Sequence, residues 1–299
     1  MPILPLGKIL MSDIHSPFRY AGGKFYARKL ILEHIPEHTM YIEPFAGGAS
    51  IFFCKEKVEF NQLNDIDTEL INTFSVIRDE PERLISLLQR NEINNRIPDE
   101  LTDTVSRGDP LPASKELHRY LKLVYNPQNH LERALRWYYL NRTSYSGIMN
   151  FKNMYWGYGD KYSMQPKNWA ASILRTSQKL QDVLVTNCDF EEVIDTAVDG
   201  AFLFVDPPYY GADQDKFYEH YFSHEDHIRL CECIMRNVDR LKIFITYDNV
   251  PDIREMYGFM KSMFDKEWNY CIQRTDDQKN KTDKRGERYK GKELFILNY

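Results

Sequence analysis

The fold is decided by the segment Phe202-Leu203-Phe204-Val205-Asp206-Pro207-Pro208-Tyr209, in which an unbroken apolar run ends on an acid, two prolines and a tyrosine. A short, β-prone run of this kind is typical of a buried strand in a parallel sheet. Neither proline has an N–H group for the sheet, so the chain must leave the sheet just after Asp206. Ligands of open α/β sheets bind outside the carboxyl ends of the strands. We therefore expect Asp206 and Tyr209 to project into a cleft.

The same residues suit the methylation of an exocyclic amino group. Such an amine on a base is a weak nucleophile, because its lone pair is delocalised into the ring. A carboxylate and a backbone carbonyl that accept its two N–H bonds would turn the lone pair towards an electrophile, and an aromatic ring would stack on the base. Asp206, Pro207 and Tyr209 supply these three parts. The alternative is a strand that merely ends at a Pro-Pro turn, since short motifs also occur by chance.

Composition limits the class of protein. A chain of 299 residues, with 42% hydrophobic and 28% charged residues, fits one large α/β domain or such a domain with an insertion. No window predicts a signal peptide or a membrane span. The five cysteines lack the spacing of a zinc site or a disulfide framework, so we expect no metal and a reducing cytoplasm. The net charge of −5 disfavours a nucleic-acid partner unless the basic residues are segregated.

Two glycine turns near the amino terminus indicate a cofactor. Gly22-Gly23 precedes Lys24 at the start of a predicted helix, and Tyr41–Phe53 reads as strand, glycine turn and helix. Such turns let a ligand approach the backbone closely. Asp65, at the end of the next predicted strand, is placed to bind ribose hydroxyls. Together these segments imply an adenosine-bearing cofactor, although each alone is equally explained by an ordinary turn.

Residues 79–169 differ in character and are predicted to form an inserted, mostly helical module that contacts the substrate. Residues Leu117 to Tyr139 are predicted to be helical, and Leu140 to Phe151 to form a tight, exposed loop or hairpin. The alternative is a purely structural insertion. Residues 1–78 and 170–299 would then form the main domain.

The remainder alternates between helices and strands. The pattern predicts helices over Leu174 to Leu184 and Ser223 to Val238, and strands over Val185 to Asn187, Ile243 to Tyr247 and Glu293 to Leu297. A cluster of basic residues precedes the last strand and is the strongest electrostatic indication of nucleic-acid binding in the chain, although a solvated loop would also explain it. Its members are Lys279, Lys281, Lys284, Arg285, Arg288, Lys290 and Lys292.

Four of these segments, in this order, resemble the Dam-type (D12 class, α arrangement) family of DNA adenine-N6 methyltransferases over nearly the whole chain. Pro17 to Lys24 is similar to the family's Ala-Gly-Gly-Lys motif, and Glu43 to Phe53 to its cofactor-methionine motif. Asn64-Asp65-Ile66 resembles the ribose motif, and Asp206 to Tyr209 the catalytic tetrapeptide.

The resemblance implies an α/β fold: a Rossmann-like S-adenosylmethionine-dependent methyltransferase sheet with an inserted, mostly helical DNA-recognition domain at 79–169. Asp206 and Pro207 would bind the target amine, and Tyr209 would stack on the target base. Arg19, Arg142, Tyr145 and Ile148 would contact duplex DNA. The cofactor would contact Tyr20, Lys24, Glu43, Phe45, Gly47, Asp65, Asp189, Phe190 and Asp206.

The expected function is transfer of a methyl group from S-adenosylmethionine to adenine N6 in double-stranded DNA after base flipping, without a metal. The enzyme would be cytoplasmic, of bacterial or phage type, with or without a cognate restriction endonuclease. Transfer to cytosine N4 or to RNA adenine is a close alternative, because the tetrapeptide requires only an exocyclic amine on a planar ring. A protein-glutamine methyltransferase and an inactive DNA-binding homologue are further alternatives. The recognised DNA sequence does not follow from the chain.

Overall fold

The computed structural model describes residues 15–20, 22–89, 96–102, 106, 108–161, 163–211, 220–269 and 290–299. Seven strands in these residues form one sheet, in the order β3-β2-β1-β4-β5-β7-β6. Strands β1 to β5 run parallel, whereas β7 is antiparallel to both of its neighbours. The strands are β1 (Met40–Glu43), β2 (Phe60–Asn64), β3 (Val183–Thr186), β4 (Phe202–Val205), β5 (Lys242–Asp248), β6 (Ser262–Asn269) and β7 (Lys290–Leu297).

Helices connect the parallel strands and cover both faces of the sheet. In the part of the chain that the structure describes, three short 3₁₀ turns lie between them: Asp99–Leu101, Tyr145–Gly147 and Pro166–Asn168. The α-helices are α1 (Arg28–Leu32), α2 (Ser50–Cys54), α3 (Thr68–Asp79), α4 (Pro81–Leu88), α5 (Lys115–Leu123), α6 (His130–Thr143), α7 (Trp169–Leu180), α8 (Phe190–Thr196), α9 (His224–Asn237) and α10 (Pro251–Met256).

The central strand β4 is buried on both faces, which explains its unbroken apolar sequence. Successive side chains of a strand point to opposite faces. Phe202 and Phe204 accordingly pack into the core that includes helices α3 to α7, whereas Leu203 and Val205 pack into the core beneath α8 and α9. The predicted buried parallel strand at these residues is therefore confirmed, and so is the α/β fold class.

Strands β1 and β4 lie side by side at the point where the strand order reverses. The connections after β1 and β4 lead to opposite sides of the sheet, which opens a crevice at the carboxyl ends of these strands. Glu43 ends β1, and Asp206 directly follows β4. The fold thus brings the cofactor and catalytic motifs of the sequence to one edge.

The predicted helical stretch over Leu117 to Tyr139 consists of two helices in the structure, α5 and α6, with an interruption between them. The interruption contains Pro127, which cannot donate a backbone hydrogen bond within a helix. Asn129 then caps α6 by accepting the backbone N–H of Glu132 at 3.0 Å. The break lets α6 turn back and pack against α3 and α4.

The predicted helix over Leu174 to Leu184 is displaced, since α7 already ends at Leu180. Asp182 takes a left-handed conformation with a φ of 61°, and this residue turns the chain into β3. The strand consequently starts at Val183, two residues before the predicted start. The predicted helix after Ser223 is confirmed as α9, whose first turn carries a capping box between Ser223 and Asp226.

Residues from the predicted insertion share a core with the sheet. Trp137 and Tyr138 of α6 contact Phe18, which in turn contacts Phe74 of α3. The assignment of 79–169 to a recognition domain stays a prediction.

The basic cluster predicted before the last strand lies outside the described residues, apart from the backbone of Lys290 and Lys292 in β7. None of the helices in the described part of the chain is both long and apolar enough to span a membrane.

Candidate active site

Asp206 and Lys24 form an ion pair at the carboxyl end of β4. The Lys24 Nζ atom lies 2.6 Å from Oδ1 and 2.8 Å from Oδ2 of Asp206. Thr246 of the neighbouring strand β5 donates its hydroxyl group to Oδ1 at 2.7 Å. The Lys24 side chain is only 4% exposed, whereas that of Asp206 is 20% exposed. Lys24 and Thr246 therefore fix the Asp206 carboxylate, which remains partly accessible from the crevice.

The loop after Asp206 is held by β5. Asp248, the last residue of β5, accepts the backbone N–H groups of Tyr210 at 3.0 Å and Gly211 at 2.8 Å. The Tyr209 ring lies beside that of Tyr247 in β5, with ring centres 6.3 Å apart. The Lys24 ammonium group lies 4.8 Å from the centre of the Tyr209 ring, within the range of a cation–π contact. Backbone and side-chain contacts thus both restrict the tetrapeptide.

The turn between β1 and α2 is tied to the end of β2. Gly47 has a φ of 47°, and its backbone N–H donates to Asp65 Oδ2 at 2.8 Å. Asp67 donates its own N–H to Asp65 Oδ1 at 3.0 Å. A Cβ atom at Gly47 would lie 2.9 Å from the Tyr20 ring, so a glycine is required by both conformation and space. Burial raises the pKa of Asp65 to about 6, which leaves this carboxyl group mostly ionised at neutral pH.

Glu43 lies at the predicted edge but is only 2% exposed. Its Oε1 atom accepts the Tyr41 hydroxyl at 2.6 Å and the backbone N–H of Phe52 at 2.9 Å. Burial raises the pKa of Glu43 to about 8, so the group is mostly protonated at neutral pH. These contacts link β1 to α2, and a direct contact between Glu43 and the cofactor stays a prediction.

Three aromatic rings cluster beside the glycine turn. Phe45 stacks on Phe190 with ring centres 5.3 Å apart, and Phe222 contacts Phe45 edge-on at 5.6 Å. Phe45 is half-buried, so part of its ring remains available to a ligand. Asp189 accepts a hydrogen bond from Arg229 at 3.1 Å, and the guanidinium group of Arg229 lies 5.0 Å from the centre of the Phe190 ring. The pair predicted to bind an adenine ring is therefore adjacent to the predicted methionine motif.

The structure corrects the predicted exposed loop at Leu140 to Phe151. Arg142 belongs to the last turn of α6, is 5% exposed and donates to the Pro17 carbonyl oxygen at 3.1 Å. Ile148 is likewise buried, with 6% exposure. Both side chains are therefore buried in this conformation. Their predicted contact with DNA would require the segment to rearrange.

Tyr145 and Arg19 are more accessible. Tyr145 is 44% exposed and lies in a hairpin-like turn, where its N–H donates to the Tyr155 carbonyl oxygen at 2.8 Å. A single antiparallel bridge between Ser144 and Trp156 closes this turn, and neither side of it is a strand. Arg19 is half-buried and donates to the Ser144 carbonyl oxygen at 3.2 Å, which joins the amino-terminal motif to this turn.

Sequence reasoning missed four residues that support the site: Thr246, Asp248, Glu293 and Arg229. The first two could have been found, because the end of a strand next to β4 must reach the same edge. Glu293 gives no such signal, since its place depends on the antiparallel pairing in which it faces Asp248. Among the described residues, no group of three or more histidine, cysteine or acidic side chains could hold a metal ion.

A comparison with known protein families decides the identity. The model of the D12 class N6 adenine-specific DNA methyltransferases matches residues 20–272, from Tyr20 beside the glycine turn past the end of β6. The chain belongs to this family. The methyltransferase is 28% identical to the Type II methyltransferase M1.LlaDCHI of Lactococcus lactis subsp. cremoris, over 95% of each chain.

Two further relatives show the breadth of the likeness. The methyltransferase is 27% identical to the Type II methyltransferase M.MjaIII of Methanocaldococcus jannaschii, over 95% of this chain and 99% of the relative. It is 21% identical to the DNA adenine methylase of Escherichia coli, over 80% and 82% of the two chains. The prediction of an S-adenosylmethionine-dependent, adenine-specific DNA methyltransferase is confirmed by the family.

The residues at the crevice fit S-adenosylmethionine chemically. Asp65 is an ionised acceptor for hydroxyl groups, and the half-buried Phe45 ring offers a flat apolar surface. The Gly47 turn leaves no side chain between the backbone and the Tyr20 ring. Such a set of groups can bind the ribose hydroxyls and the planar base of the cofactor. The glycine turn can bind the remaining end of the cofactor through backbone groups.

Proposed function

We propose that the protein methylates adenine N6 at a specific sequence in duplex DNA, and that Asp206, Pro207 and Tyr209 bind the flipped target base. The observation that carries this proposal is the position of Asp206. Its carboxylate follows the central strand at the point where the strand order reverses, and it is fixed by Lys24 and Thr246. Ligands of open α/β sheets bind at this point.

Asp206 retains the capacity to accept a hydrogen bond from the target. A carboxylate has about four acceptor positions. Lys24 uses one on each oxygen, and Thr246 uses another on Oδ1. A remaining position on Oδ2 can accept one N–H bond of the adenine amino group, and the Pro207 carbonyl oxygen can accept the other. These two acceptors would draw the nitrogen lone pair out of conjugation with the ring.

Transfer then needs no covalent bond to the protein. S-adenosylmethionine, when bound, supplies a methyl group on a positively charged sulfur. The N6–carbon bond would form as the sulfur–carbon bond breaks, the sulfur would leave as a neutral thioether, and the proton that N6 then loses would pass to water. Tyr20, Lys24, Glu43, Phe45, Gly47, Asp65, Asp189, Phe190 and Asp206 would surround the cofactor. The ring of Tyr209 would replace part of the stacking that the base loses on leaving the duplex.

The DNA is proposed to lie against the surface around the hairpin-like turn. Tyr145 is 44% exposed and Tyr155 62% exposed, and the Lys122 ammonium group lies 5.7 Å from the centre of the Tyr155 ring. Phe151, also exposed, lies 5.1 Å from the same ammonium group. Aromatic rings beside a cation suit contact with bases and phosphates. This surface supports the assignment of 79–169 to DNA recognition, together with Arg19 at its edge.

The test is methyl transfer from labelled S-adenosylmethionine to unmethylated genomic DNA, followed by digestion to nucleosides. We expect the label in N6-methyladenine, and mapping of the modified positions would then give the target sequence. RNA and single-stranded DNA serve as competing substrates in parallel reactions. Label in N4-methylcytosine, in RNA or in protein would contradict the proposal.

We further propose that the enzyme acts in the cytoplasm and that a restriction endonuclease shares its target sequence. Relatives named Type II methyltransferases support this pairing. An endonuclease that cleaves unmethylated DNA at the mapped sequence, and not the methylated product, would be the expected partner. Its absence from the source genome would leave a solitary methylase.

A further inference from the structure

Asp189 follows β3 at the carboxyl edge of the sheet and caps helix α8. Its Oδ1 atom accepts the backbone N–H of Glu191 at 2.9 Å and an N–H of the Arg229 guanidinium group at 3.1 Å. Its second oxygen, Oδ2, meets no hydrogen-bond donor among the described residues, and the side chain is 44% exposed. One oxygen of the carboxylate is therefore fixed by the protein, and the other is left for a ligand.

The chain in front of Asp189 is anchored to the end of β2. The side-chain amide of Asn64 donates to the Cys188 carbonyl oxygen at 3.0 Å and accepts the Cys188 N–H at 2.9 Å. Asn64 ends β2 and directly precedes Asp65, the proposed acceptor for the ribose hydroxyl groups. The backbone at the two acidic residues is thus fixed at the ends of neighbouring strands.

Arg229 of α9 joins Asp189 to two further carboxylates. Its Nε atom donates to Glu191 at 2.7 Å and its Nη1 atom to Asp226 at 2.8 Å, whereas Nη2 donates to Asp189. The guanidinium group also lies 5.0 Å from the centre of the Phe190 ring. Hydrogen bonds along several edges of this planar group define its orientation. Arg229 is therefore itself held in place, and it can hold Asp189.

We propose that Arg229 is a positioning residue that sets the base specificity of the cofactor site, because it holds the Asp189 carboxylate where Oδ2 accepts the amino group of the cofactor's adenine. The inference rests on the proposed cofactor contacts of Asp189 and Phe190. A carboxylate accepts hydrogen bonds and donates none, so it suits a purine with a 6-amino group. A 6-oxo purine would place a carbonyl oxygen against Oδ2 and leave both acceptors unpaired.

The test is calorimetric titration of the full-length enzyme with two ligands, S-adenosylhomocysteine and S-inosylhomocysteine. The second ligand carries an oxygen in place of the amino group. The wild type should bind the adenosine form at least about tenfold more tightly. In Arg229→Met this preference should fall to about threefold or less, because only the Glu191 N–H then holds the Asp189 carboxylate. Since no DNA is present, the result does not depend on which acceptor is methylated.

Arg236→Met is a matched control. Arg236 lies on the same helix, pairs with Glu191 and Asp195 rather than with Asp189, and is 41% exposed, against 42% for Arg229. Ion pairs as exposed as these contribute little to stability, so both variants should remain folded. Arg236→Met should keep the wild-type preference. An equal loss in both variants would assign the effect to the ion-pair network as a whole and overturn the inference.

Asp189→Asn separates the role of Arg229 from the contacts on which it rests. The two N–H groups at the position of Oδ1 would orient the amide with its oxygen there, so its NH₂ group would take the place of Oδ2 and face the base. The preference should then shift towards the inosine form. An unchanged preference would reject the contact between Asp189 and the base, and the inference with it. A shift in this variant together with a wild-type preference in Arg229→Met would overturn the role of Arg229 alone.

Arg229→Lys decides the matter if Arg229→Met does not fold. It keeps a positive charge beside the carboxylates, but an ammonium group lacks the planar fork of a guanidinium group, so the preference should fall here as well. Melting temperatures identify the folded variants, and a wild-type preference in a folded Arg229 variant would contradict the inference. Failure of the wild type to bind either ligand would instead reject the proposed cofactor site.

Discussion

The ion pair between Lys24 and Asp206 allows a quantitative prediction. Two unit charges 2.6 Å apart attract each other by about 6 kcal/mol at an effective dielectric constant of about 20. Desolvation of both ions offsets much of this attraction, and removal of one partner from a buried pair costs about 3–5 kcal/mol. Because Asp206 is 20% exposed and keeps the hydrogen bond from Thr246, we take the lower end, about 3 kcal/mol.

Lys24→Met and Asp206→Asn should therefore each lower the melting temperature of the free enzyme by about 6–12 °C, at about 2–4 °C per kcal/mol. The double variant should melt no lower than either single one, because it leaves no buried charge unpaired. Lys57→Met is a matched control, since this exposed ammonium group contacts only a carbonyl oxygen, and its effect should stay within about 0.5 kcal/mol.

Differential scanning calorimetry without cofactor measures the wild type and these four variants. Decreases of less than about 2 °C in both single variants, adding up in the double variant, would refute the reasoning. The pair would then contribute no net stability, and the position of Asp206 would have to be determined by the backbone alone.

Three further predictions concern the cofactor turn, Glu43 and the DNA surface. Gly47→Ala should weaken cofactor binding in calorimetric titrations by about tenfold or more, whereas Gly108→Ala, at a positive φ but with open space around it, should not affect binding. Between about pH 5 and 8, Glu43 is neutral in the folded protein and ionised in the unfolded chain, so the stability of the wild type falls as pH rises. The melting temperature of Glu43→Gln should therefore rise relative to that of the wild type over this range. Tyr145→Ala should raise KM for DNA at unchanged melting temperature, whereas Arg142→Ala should lower the melting temperature by about 4 °C or more.

Each of these predictions has an outcome that would contradict it. Equal loss of affinity in Gly47→Ala and Gly108→Ala would assign the effect to backbone strain alone. A melting difference that does not change with pH would show that Glu43 is ionised in the folded protein. A normal KM in Tyr145→Ala would remove the hairpin-like turn from the DNA-binding surface.

Much of the fold was predictable because its signals are local. The run at Phe202 to Val205 is apolar at every position, as a strand buried on both faces requires. Its end at Asp206 follows from two prolines without N–H groups. The break between α5 and α6 was missed because amphipathic periodicity continues across Pro127, and β6 because its sequence alternates polar and apolar residues too irregularly.

For the site, the sequence predicted which motifs lie at the edge of the sheet, but not which side chains pair with one another there. The ends of β1, β2 and β4 had to meet, given a parallel sheet, and they do. The partner of Asp206 is Lys24, more than 180 residues away, and no local pattern encodes this pair. Arg142 was expected in an exposed loop because its segment resembles the hairpin with which the family contacts DNA, but a backbone carbonyl group of the amino-terminal motif provides its buried partner.

The most direct measurement is a single-turnover reaction of cofactor-bound enzyme with duplex DNA, comparing the wild type with Asp206→Asn and analysing the nucleosides. The account predicts N6-methyladenine from the wild type and a rate lower by about 100-fold or more in the variant, with cofactor binding retained. A similar rate in both proteins, or a methyl group on any other acceptor, would contradict it.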